Sequence, residues 1–325
     1  MRPHSLRLRL ARPDDAAAIA ANVAAAYGQG YAEPAFLDPR RVRAALRAGR
    51  VLYAIAEDSG GRAVAQCALE DLGRGRFEHS KAVVLPEHRG AGLMGALSRL
   101  LYAEARRRGV RLLLGRSVTC HLRTQRCTAR AGYVPLGLLA NLWPARCIAG
   151  RAPDGPPVSC LLEGLPLAPL PARPLALRGA AGALAQAALS RLGAEVVLLP
   201  EDAGESGAPP RFAPRRRPLL GLLHFAPLPP EVPRGLPLAR ALEAEARVVW
   251  LDQPVAAPGA DRLAATLFAW GFFPAAFVPW EGPGGADVLR WQRCTEALPE
   301  LEELVLLPTA REFCRGLLAG AGATV

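Results

Sequence analysis

The first half of the chain switches repeatedly between the two-residue period of strands and the 3.6-residue period of helices. Residues 6–10 alternate apolar side chains with arginine, which is typical of a half-exposed strand. Pro13, Asp14 and Asp15 then open an alanine-rich stretch to about residue 27, and carboxylates at this end favour a helix. The same periods predict helices over 37–48, 92–108 and 124–131 and strands over 51–56, 62–70, 77–85, 111–118 and 133–139. The predicted order, β-α-α-β-β-β-α-β-α-β, is that of an α/β domain.

A glycine-rich turn joins the strand predicted at 77–85 to the helix that follows it. Gly90, Gly92 and Gly95 allow the backbone to turn tightly at the helix N-terminus, where free N–H groups and the helix dipole favour an anion. This predicts a pyrophosphate-binding loop, with a tight turn that binds nothing as the alternative. Residues 90–95 also fit the dinucleotide pattern G-x-G-x-x-G, but no acidic residue closes a strand about 20 residues later.

Proline marks two later stretches, 153–174 and 200–237. Because proline removes a backbone donor and fixes φ, long regular elements are not expected there. We therefore predict a first domain over residues 1–150, a proline-rich linker over 151–171 and a second domain over 172–325. In the second domain the pattern predicts a helix ending near 245, a strand over 247–252, helices over 261–269 and 287–296, a strand over 301–307 and a helix over 309–318.

The positive charge is unevenly distributed along the 325 residues. The formal net charge is +11, yet residues 1–150 hold 24 Arg and Lys against 11 Asp and Glu, whereas residues 151–325 hold 16 against 18. Lys81 is the only lysine, and no run of cations is interleaved with aromatic residues. A nucleic acid is therefore not the expected partner.

Other function classes are excluded by what the sequence lacks. Seven scattered cysteines without a paired C-x-x-C, and no apolar N-terminal leader, predict a reducing cytoplasm. Cys120, His121 and Cys127 do not have the spacing of a zinc site, so no metal is expected. The longest weakly polar run, 263–280, contains two prolines and is barely long enough to cross a bilayer, so no membrane span is predicted.

The pattern V-x-x-P-x-x-R-G-x-G-L-x-x-x-L over 83–97 resembles motif A of the GNAT superfamily of N-acetyltransferases, whose loop amides hold coenzyme A. Arg-Pro-Asp-Asp at 12–15 and Ala-Gly-Tyr-Val-Pro-Leu-Gly at 131–137 resemble the start and motif B of that family, so the resemblance covers about residues 5–145. It implies the acyl-CoA N-acyltransferase fold, a mixed, mostly antiparallel sheet flanked by helices. It also implies direct transfer of an acetyl or longer acyl group from coenzyme A, or from an acyl carrier protein, to an amine.

The resemblance implies two sets of donor-binding residues. Strand residues would contact the thioester and the pantetheine arm, and loop residues would contact the pyrophosphate. The two sets are Val83, Val84 and Leu85, and then Arg89, Gly90, Ala91, Gly92, Leu93, Met94 and Gly95. His121 would bind the pantetheine arm or merely begin a helix.

Candidate catalytic groups lie on the strand before the loop. Glu78 is the first choice for the base that deprotonates the amine, since it lies eleven residues before Arg89, where some family members carry a glutamate. An ordinary solvated strand residue is the alternative. His79, on the opposite face, is the second choice, and Glu70 is the third.

Three positions depart from the family pattern. Met94 occupies a position where the family has a small residue, which predicts a wider loop. His121 and Thr128 stand where motif B carries Asn and Tyr. The general acid is therefore unassigned.

The second half resembles a degenerate copy of the first. The run Ala-Trp-Gly-Phe-Phe-Pro at 269–274 parallels Arg-Ala-Gly-Tyr-Val-Pro at 130–135, which predicts an internal duplication. Pro237 stands where the first copy has Gly92 and cannot donate an N–H, so the second copy is expected to bind no coenzyme and to shape the acceptor site. The chain is thus similar to tandem GNAT proteins, and a non-catalytic acyl-CoA-binding or regulatory module is the competing function.

Overall fold

The computed structural model describes residues 6–148, 150–200, 215–226 and 246–322. Twelve of its strands form one sheet and two short ones form a second. The strands are β1 (Arg7–Leu10), β2 (Val51–Glu57), β3 (Ala63–Gly73), β4 (Arg76–Val84), β5 (Leu112–Val118), β6 (Val134–Trp143), β7 (Val158–Pro166), β8 (Arg173–Leu175), β9 (Val196–Leu198), β10 (Arg215–Arg217), β11 (Leu222–Phe225), β12 (Val248–Pro254), β13 (Phe273–Val278) and β14 (Val288–Cys294). The helices are α1 (Ala16–Tyr27), α2 (Pro39–Arg47), α3 (Leu93–Arg107), α4 (Arg123–Ala131), α5 (Gly179–Arg191), α6 (Ala260–Ala269) and α7 (Pro308–Gly322).

The predicted elements of the first half are confirmed to within a few residues, and so is the predicted fold class. The large sheet has the order β1-β2-β3-β4-β5-β7-β6-β13-β14-β12-β11-β10 and is mostly antiparallel, with parallel neighbours at β4·β5 and β11·β12. Helices cover both faces of β2: Leu52 and Ala54 pack in the cluster under α3, whereas Tyr53 and Ile55 pack against α1 and α2. Alternation of side chains along a strand places these two sets on opposite faces.

One stretch of the predicted proline-rich linker, 151–171, is instead a central strand. Val158–Pro166 form β7, which is buried along almost its whole length between β5 and β6. The expectation of no regular element was wrong here because the prolines flank an apolar run rather than interrupt it. A strand that is buried on both faces also lacks the polar alternation by which strands are recognised. The sheet of the first half therefore extends to residue 166.

The second half contains two further corrections. Residues 287–296, predicted as a helix, form the strand β14, whose side chains Leu289 and Trp291 are fully buried. Residues 301–307, predicted as a strand, form a 3-10 turn at Leu301–Glu303 and one strand-like bond, from the N–H of Val305 to the carbonyl of Thr119. The strand near 247–252 and the helices near 261–269 and 309–318 are confirmed. The helix predicted to end near 245 lies outside the described residues.

The two halves of the large sheet repeat one arrangement. In the first half the strand order is β4-β5-β7-β6, and α4 lies between β5 and β6 in the sequence. In the second half the strand order is β11-β12-β14-β13, and α6 lies between β12 and β13 in the sequence. Gly132 and Gly271 end the two helices with positive φ. In both, the next residue donates its N–H to a carbonyl five residues back, from Tyr133 to Thr128 and from Phe272 to Leu267. The run that predicted a duplication therefore forms the same local structure twice.

The halves meet where β6 and β13 pair at Gly137 and Ala276. A Cβ atom on Gly137 would lie 2.2 Å from the Cβ of Ala276 and 2.4 Å from its Cα. Contacts this short exclude any side chain, so only glycine allows the two strands to come together. A core from both halves surrounds the junction, and it includes Leu138, Leu161 and Phe277.

We predict that Gly137→Ala destabilises the protein by about 3 kcal/mol or more, because the new methyl group must push β13 away from β6. Gly115→Ala, in β5, is the control, since the nearest atoms to its Cβ would be the ring of Tyr133, at 3.4 Å, and the methyl group of Thr128, at 3.8 Å. Urea denaturation of both variants measures the difference. Equal stabilities for Gly137→Ala and Gly115→Ala would show that β13 can move away from β6 at little cost in free energy.

Candidate functional site

Strands β4 and β5 separate partway along their length. They are paired from Arg76 with Leu112 to His79 with Gly115, and no pair follows although both strands continue. Val83 and Val84 pair with β3, on the other side of β4. The edge of β4 that faces β5 therefore carries backbone groups that a ligand can bind.

A bulge at Lys81 turns β4 away from β5. Gln66 pairs with Val83 and Ala68 pairs with Ser80, so β4 has one extra residue opposite β3. Lys81, in the bulge, has a φ of 51°, unusual for a residue with a side chain. Its side chain is completely buried and forms ion pairs with Glu33 and Glu70. The sequence offered one signal for this role, which is that Lys81 is the only lysine.

The predicted phosphate loop leads from the open end of β4 into α3. Gly90 and Gly92 have φ values of 85° and 71°, and both are exposed, so the turn needs glycine at these positions. Within the described part of the chain, none of the backbone N–H groups of residues 90–95 donates a hydrogen bond. Six consecutive N–H groups without a partner thus precede and begin a 15-residue helix, at the end where the helix dipole favours an anion.

Two other loop residues have defined positions. The Nε of Arg89 donates to the carbonyl of Val84 at 3.2 Å, which fixes the side chain beside the open end of β4. Met94 is partly buried and packs against the core under α3. Its size is thus accommodated by the core and not by the loop.

Glu78 and His79 point to opposite faces of the sheet, as predicted. Both carboxylate oxygens of Glu78 accept hydrogen bonds from Arg116, at 2.7 and 2.8 Å. The Nε2 of His79 lies 3.2 Å from the hydroxyl oxygen of Ser98 on α3, and its ring packs against Tyr102. Burial lowers the pKa of His79 to about 4, so this ring is neutral at pH 7.

Three glutamates lie together on the face of Glu78. Glu70 is directly opposite Glu78 across β3 and β4, and it accepts a hydrogen bond from Ser80 at 3.1 Å and one from Lys81. Glu33 shares Lys81 and lies 3.8 Å from Arg116. Burial raises the pKa of Glu70, whereas for Glu33 the charges of Lys81 and Arg116 outweigh burial and lower the pKa. Glu33 and Glu70 thus share Lys81 but have pKa values that are shifted in opposite directions.

His121 lies between β5 and α4, half-buried. Its Nδ1 is buried and has no hydrogen-bond partner among the described residues. Burial also lowers the pKa of the ring, which leaves it uncharged near neutrality. Gln125, four residues on, has a structural role, since its amide bonds to the backbone of Val305 and Leu307 and fixes the C-terminal segment to α4.

A buried carboxylate lies on the α4 side of the sheet. Glu163, on β7, accepts hydrogen bonds from the hydroxyls of Ser117 and Thr128, the second at 3.1 Å. Burial raises its pKa to about 7, although both hydroxyls act in the opposite direction. No sequence pattern indicated this group, because β7 was not expected.

Comparison with solved structures finds acetyltransferases. The chain is similar to YncA of Salmonella typhimurium, solved with its cofactor acetyl-CoA, with 20% identity, 51% of this chain and 96% of that chain covered, and a TM-score of 0.43. It is also similar to an N-acetyltransferase from Staphylococcus aureus, with 18% identity, 50% and 99% covered and a TM-score of 0.42. A third similar structure is an IAA acetyltransferase from Bacillus cereus, with 13% identity, 50% of this chain and 99% of that chain covered, and a TM-score of 0.39.

Each of these three matches covers about half of this chain. No family model matches the chain, and no curated protein matches it.

Across the described ranges, no helix is both long enough and apolar enough to cross a bilayer. Within the same ranges, no group of three or more His, Cys, Asp and Glu side chains is arranged to hold a metal ion.

We predict that Glu163 makes stability fall with rising pH. Its pKa of about 7 in the folded state exceeds its ordinary value of 4.5. The folded state therefore binds more protons between these values, and stability that is present below about pH 4.5 is lost as the pH rises through 7. Between pH 4.5 and 8, wild type should lose up to about 3 kcal/mol more than Glu163→Gln, which cannot titrate. Urea denaturation across this range measures the difference, and parallel profiles would contradict the raised pKa.

Proposed function

We propose that the chain is an N-acyltransferase that moves an acetyl or longer acyl group from a coenzyme A thioester to an amine. The observation that carries this proposal is the gap between β4 and β5, which opens directly onto six free N–H groups at the start of α3. A pyrophosphate needs convergent donors, and an extended thioester arm needs a free strand edge. The unpartnered N–H groups of residues 90–95 and the unpaired edge of β4 lie next to each other in the chain.

In this proposal the donor binds through the backbone. The N–H groups of residues 90–95 hold the pyrophosphate, with Arg89 beside them, and the open edge of β4 at Val83, Val84 and Leu85 binds the pantetheine arm and polarises the thioester carbonyl. The unpartnered Nδ1 of His121 is a further donor or acceptor for the arm. An acyl carrier protein would present the same phosphopantetheine chemistry.

Acyl transfer to an amine requires a base, since only the neutral amine attacks the thioester. Glu78, the predicted base, has both carboxylate oxygens occupied by hydrogen bonds from Arg116. Glu70 lies opposite and has a raised pKa, which suits proton transfer near neutrality. We therefore rank Glu70 ahead of Glu78. His79 faces α3 on the other side of the sheet and is the least favoured of the three.

We further propose that the second half is a degenerate copy that shapes the acceptor site. The repeated strand order and the repeated helix ends at Gly132 and Gly271 support a duplication. Pro237, which predicts the loss of a second phosphate loop, lies outside the described residues. All seven cysteines are free, which fits the expected reducing cytoplasm.

Thiol release from acetyl-CoA with a panel of amines tests the function, and Gly92→Val tests the loop. We expect Gly92→Val to abolish measurable coenzyme A binding, because a side chain would fill the space that the pyrophosphate occupies. Gly109→Val is a matched control, since Gly109 has the same φ of 71°, also has no atom within 4 Å of its Cβ position, and follows the other end of α3.

Both valine variants should lose similar stability and differ only in coenzyme A affinity, as measured by calorimetry. Equal coenzyme A affinities in Gly92→Val and Gly109→Val would contradict the placement of the pyrophosphate in this loop. Saturable coenzyme A binding by wild type without thiol release on any amine would favour the alternative, a non-catalytic acyl-CoA-binding or regulatory module.

The base is tested by Glu70→Gln and Glu78→Gln. We expect Glu70→Gln to lower kcat about 100-fold or more, the usual contribution of a general base. It should also remove the rise of kcat with pH, because Glu70 must be ionised to accept a proton. Glu78→Gln should lower kcat less than about tenfold. A larger loss in Glu78→Gln, with the pH dependence intact in Glu70→Gln, would return the role to Glu78.

A further inference from the structure

The second half has a charged cluster on the face of the sheet that continues from Glu78. On β11, β12 and β14, the Nε2 of His224 lies 2.7 Å from an oxygen of Asp252, and Arg290 donates two hydrogen bonds of 2.7 Å to the same carboxylate. All three side chains are buried in the core of this half. Arg290 also packs over the ring of Trp250, 4.4 Å from its centroid. Burying so many charges is costly unless they serve a ligand or fix a fold.

Ion pairs connect this cluster to the face that carries Glu78. Arg76 lies two residues before Glu78 on β4, hence on the same face, and its Nη1 donates to Glu281 of the second half at 2.6 Å. The other oxygen of Glu281 lies 3.7 Å from Arg290. Glu281 therefore links the charged face of the first half to that of the second.

Arg217 extends the same face at the edge of the sheet. Arg215 pairs with His224 and Arg217 pairs with Leu222, so alternation places Arg217 on the face of His224 and Arg216 on the opposite face. Arg217 is itself exposed, as are the other two residues of β10. It therefore lies on the face of His224 at an accessible edge of the sheet.

The charges around Arg217 come from both halves of the chain. Partial burial and repulsion by Arg116 and Arg290 lower its pKa, while Glu33 and Glu78 attract it. Arg116 is already held by Glu78, and Arg290 by Asp252. Among the described residues, Arg217 itself forms no ion pair and no side-chain hydrogen bond.

We propose that Arg217 binds an anionic group, a carboxylate or a phosphate, on the amine that accepts the acyl group. An anion there would pair with a guanidinium that has no partner among the described residues, and it would relieve the repulsion by Arg116 and Arg290. The same face of the sheet carries Glu70 and Glu78, so the acceptor's amine would face the carboxylates while its anionic end faces the second half. The acceptor class is then an amino acid or a phosphorylated amine, and the proposal rests on the proposed acyl transfer.

The test compares Arg217→Gln with Arg216→Gln, which removes the same charge from the same strand on the opposite face. Acceptors are used in matched pairs: phenylalanine with phenethylamine, lysine with cadaverine, and phosphoethanolamine with ethanolamine. Wild type should prefer the anionic member of at least one pair in kcat/KM. Arg217→Gln should lower kcat/KM for that member about 10- to 100-fold, the effect of losing one charged hydrogen-bonded contact, mainly through KM. Arg217→Gln should leave kcat/KM for the plain amine unchanged. Arg216→Gln should leave kcat/KM unchanged for both members of the pair.

Equal losses in the two variants, or no preference for the anionic member of any pair, would overturn the proposal. Calorimetric binding of the same compounds tests the anion site independently of the proposed acyl transfer. If an anionic amine binds wild type and not Arg217→Gln, yet no thiol is released, the anion site stands and acyl transfer fails. If acyl transfer occurs and anionic and plain amines bind alike, acyl transfer stands and the anion site fails.

Discussion

The contact between Gly137 and Ala276 is the constraint on which the rest of the structure depends. It lets β6 and β13 approach so closely that two half-sheets become one sheet of twelve strands. Without it, β7 and β14 would each lie one strand from an open edge, and the core that spans both halves would be divided. The same junction sets how the two charged faces meet. The pairs formed by Glu281 with Arg76 and Arg290 require the halves to be held in this arrangement.

Within the first half, the buried Lys81 has a comparable role. A lysine without solvent contact is costly unless it is paired, and here two carboxylates compensate for one ammonium group. This arrangement holds the bulge that separates β4 from β5, and it also leaves one of the two glutamates, Glu70, with a raised pKa. The opening between β4 and β5 and a carboxylate with a raised pKa thus lie beside the same ion-pair cluster.

Local patterns were sufficient for much of the first half and insufficient for the rest. Helix α3 and its glycine turn follow from periodicity and from the residues that permit positive φ, so they could be predicted. Strands β7 and β14 could not, because they are central strands whose burial depends on neighbours far away in sequence. The glycine-rich loop before α3 was visible as a motif. The link between the charged faces of the two halves was not, since Arg76 and Glu281 are about 200 residues apart.

The repeated topology explains why the second half faces the first with different chemistry. Glu78 pairs in register with Leu114, two residues before Arg116, just as His224 pairs with Trp250, two residues before Asp252. Equivalent positions therefore carry glutamate and arginine in one half and histidine and aspartate in the other, with Arg290 added opposite Asp252. The carboxylate lies on β4 in the first half and on β12, the counterpart of β5, in the second, and both halves carry a guanidinium group on this face. Two half-sheets of similar topology thus carry unlike charged groups on one face, which fits the proposed acceptor with an amine at one end and an anion at the other.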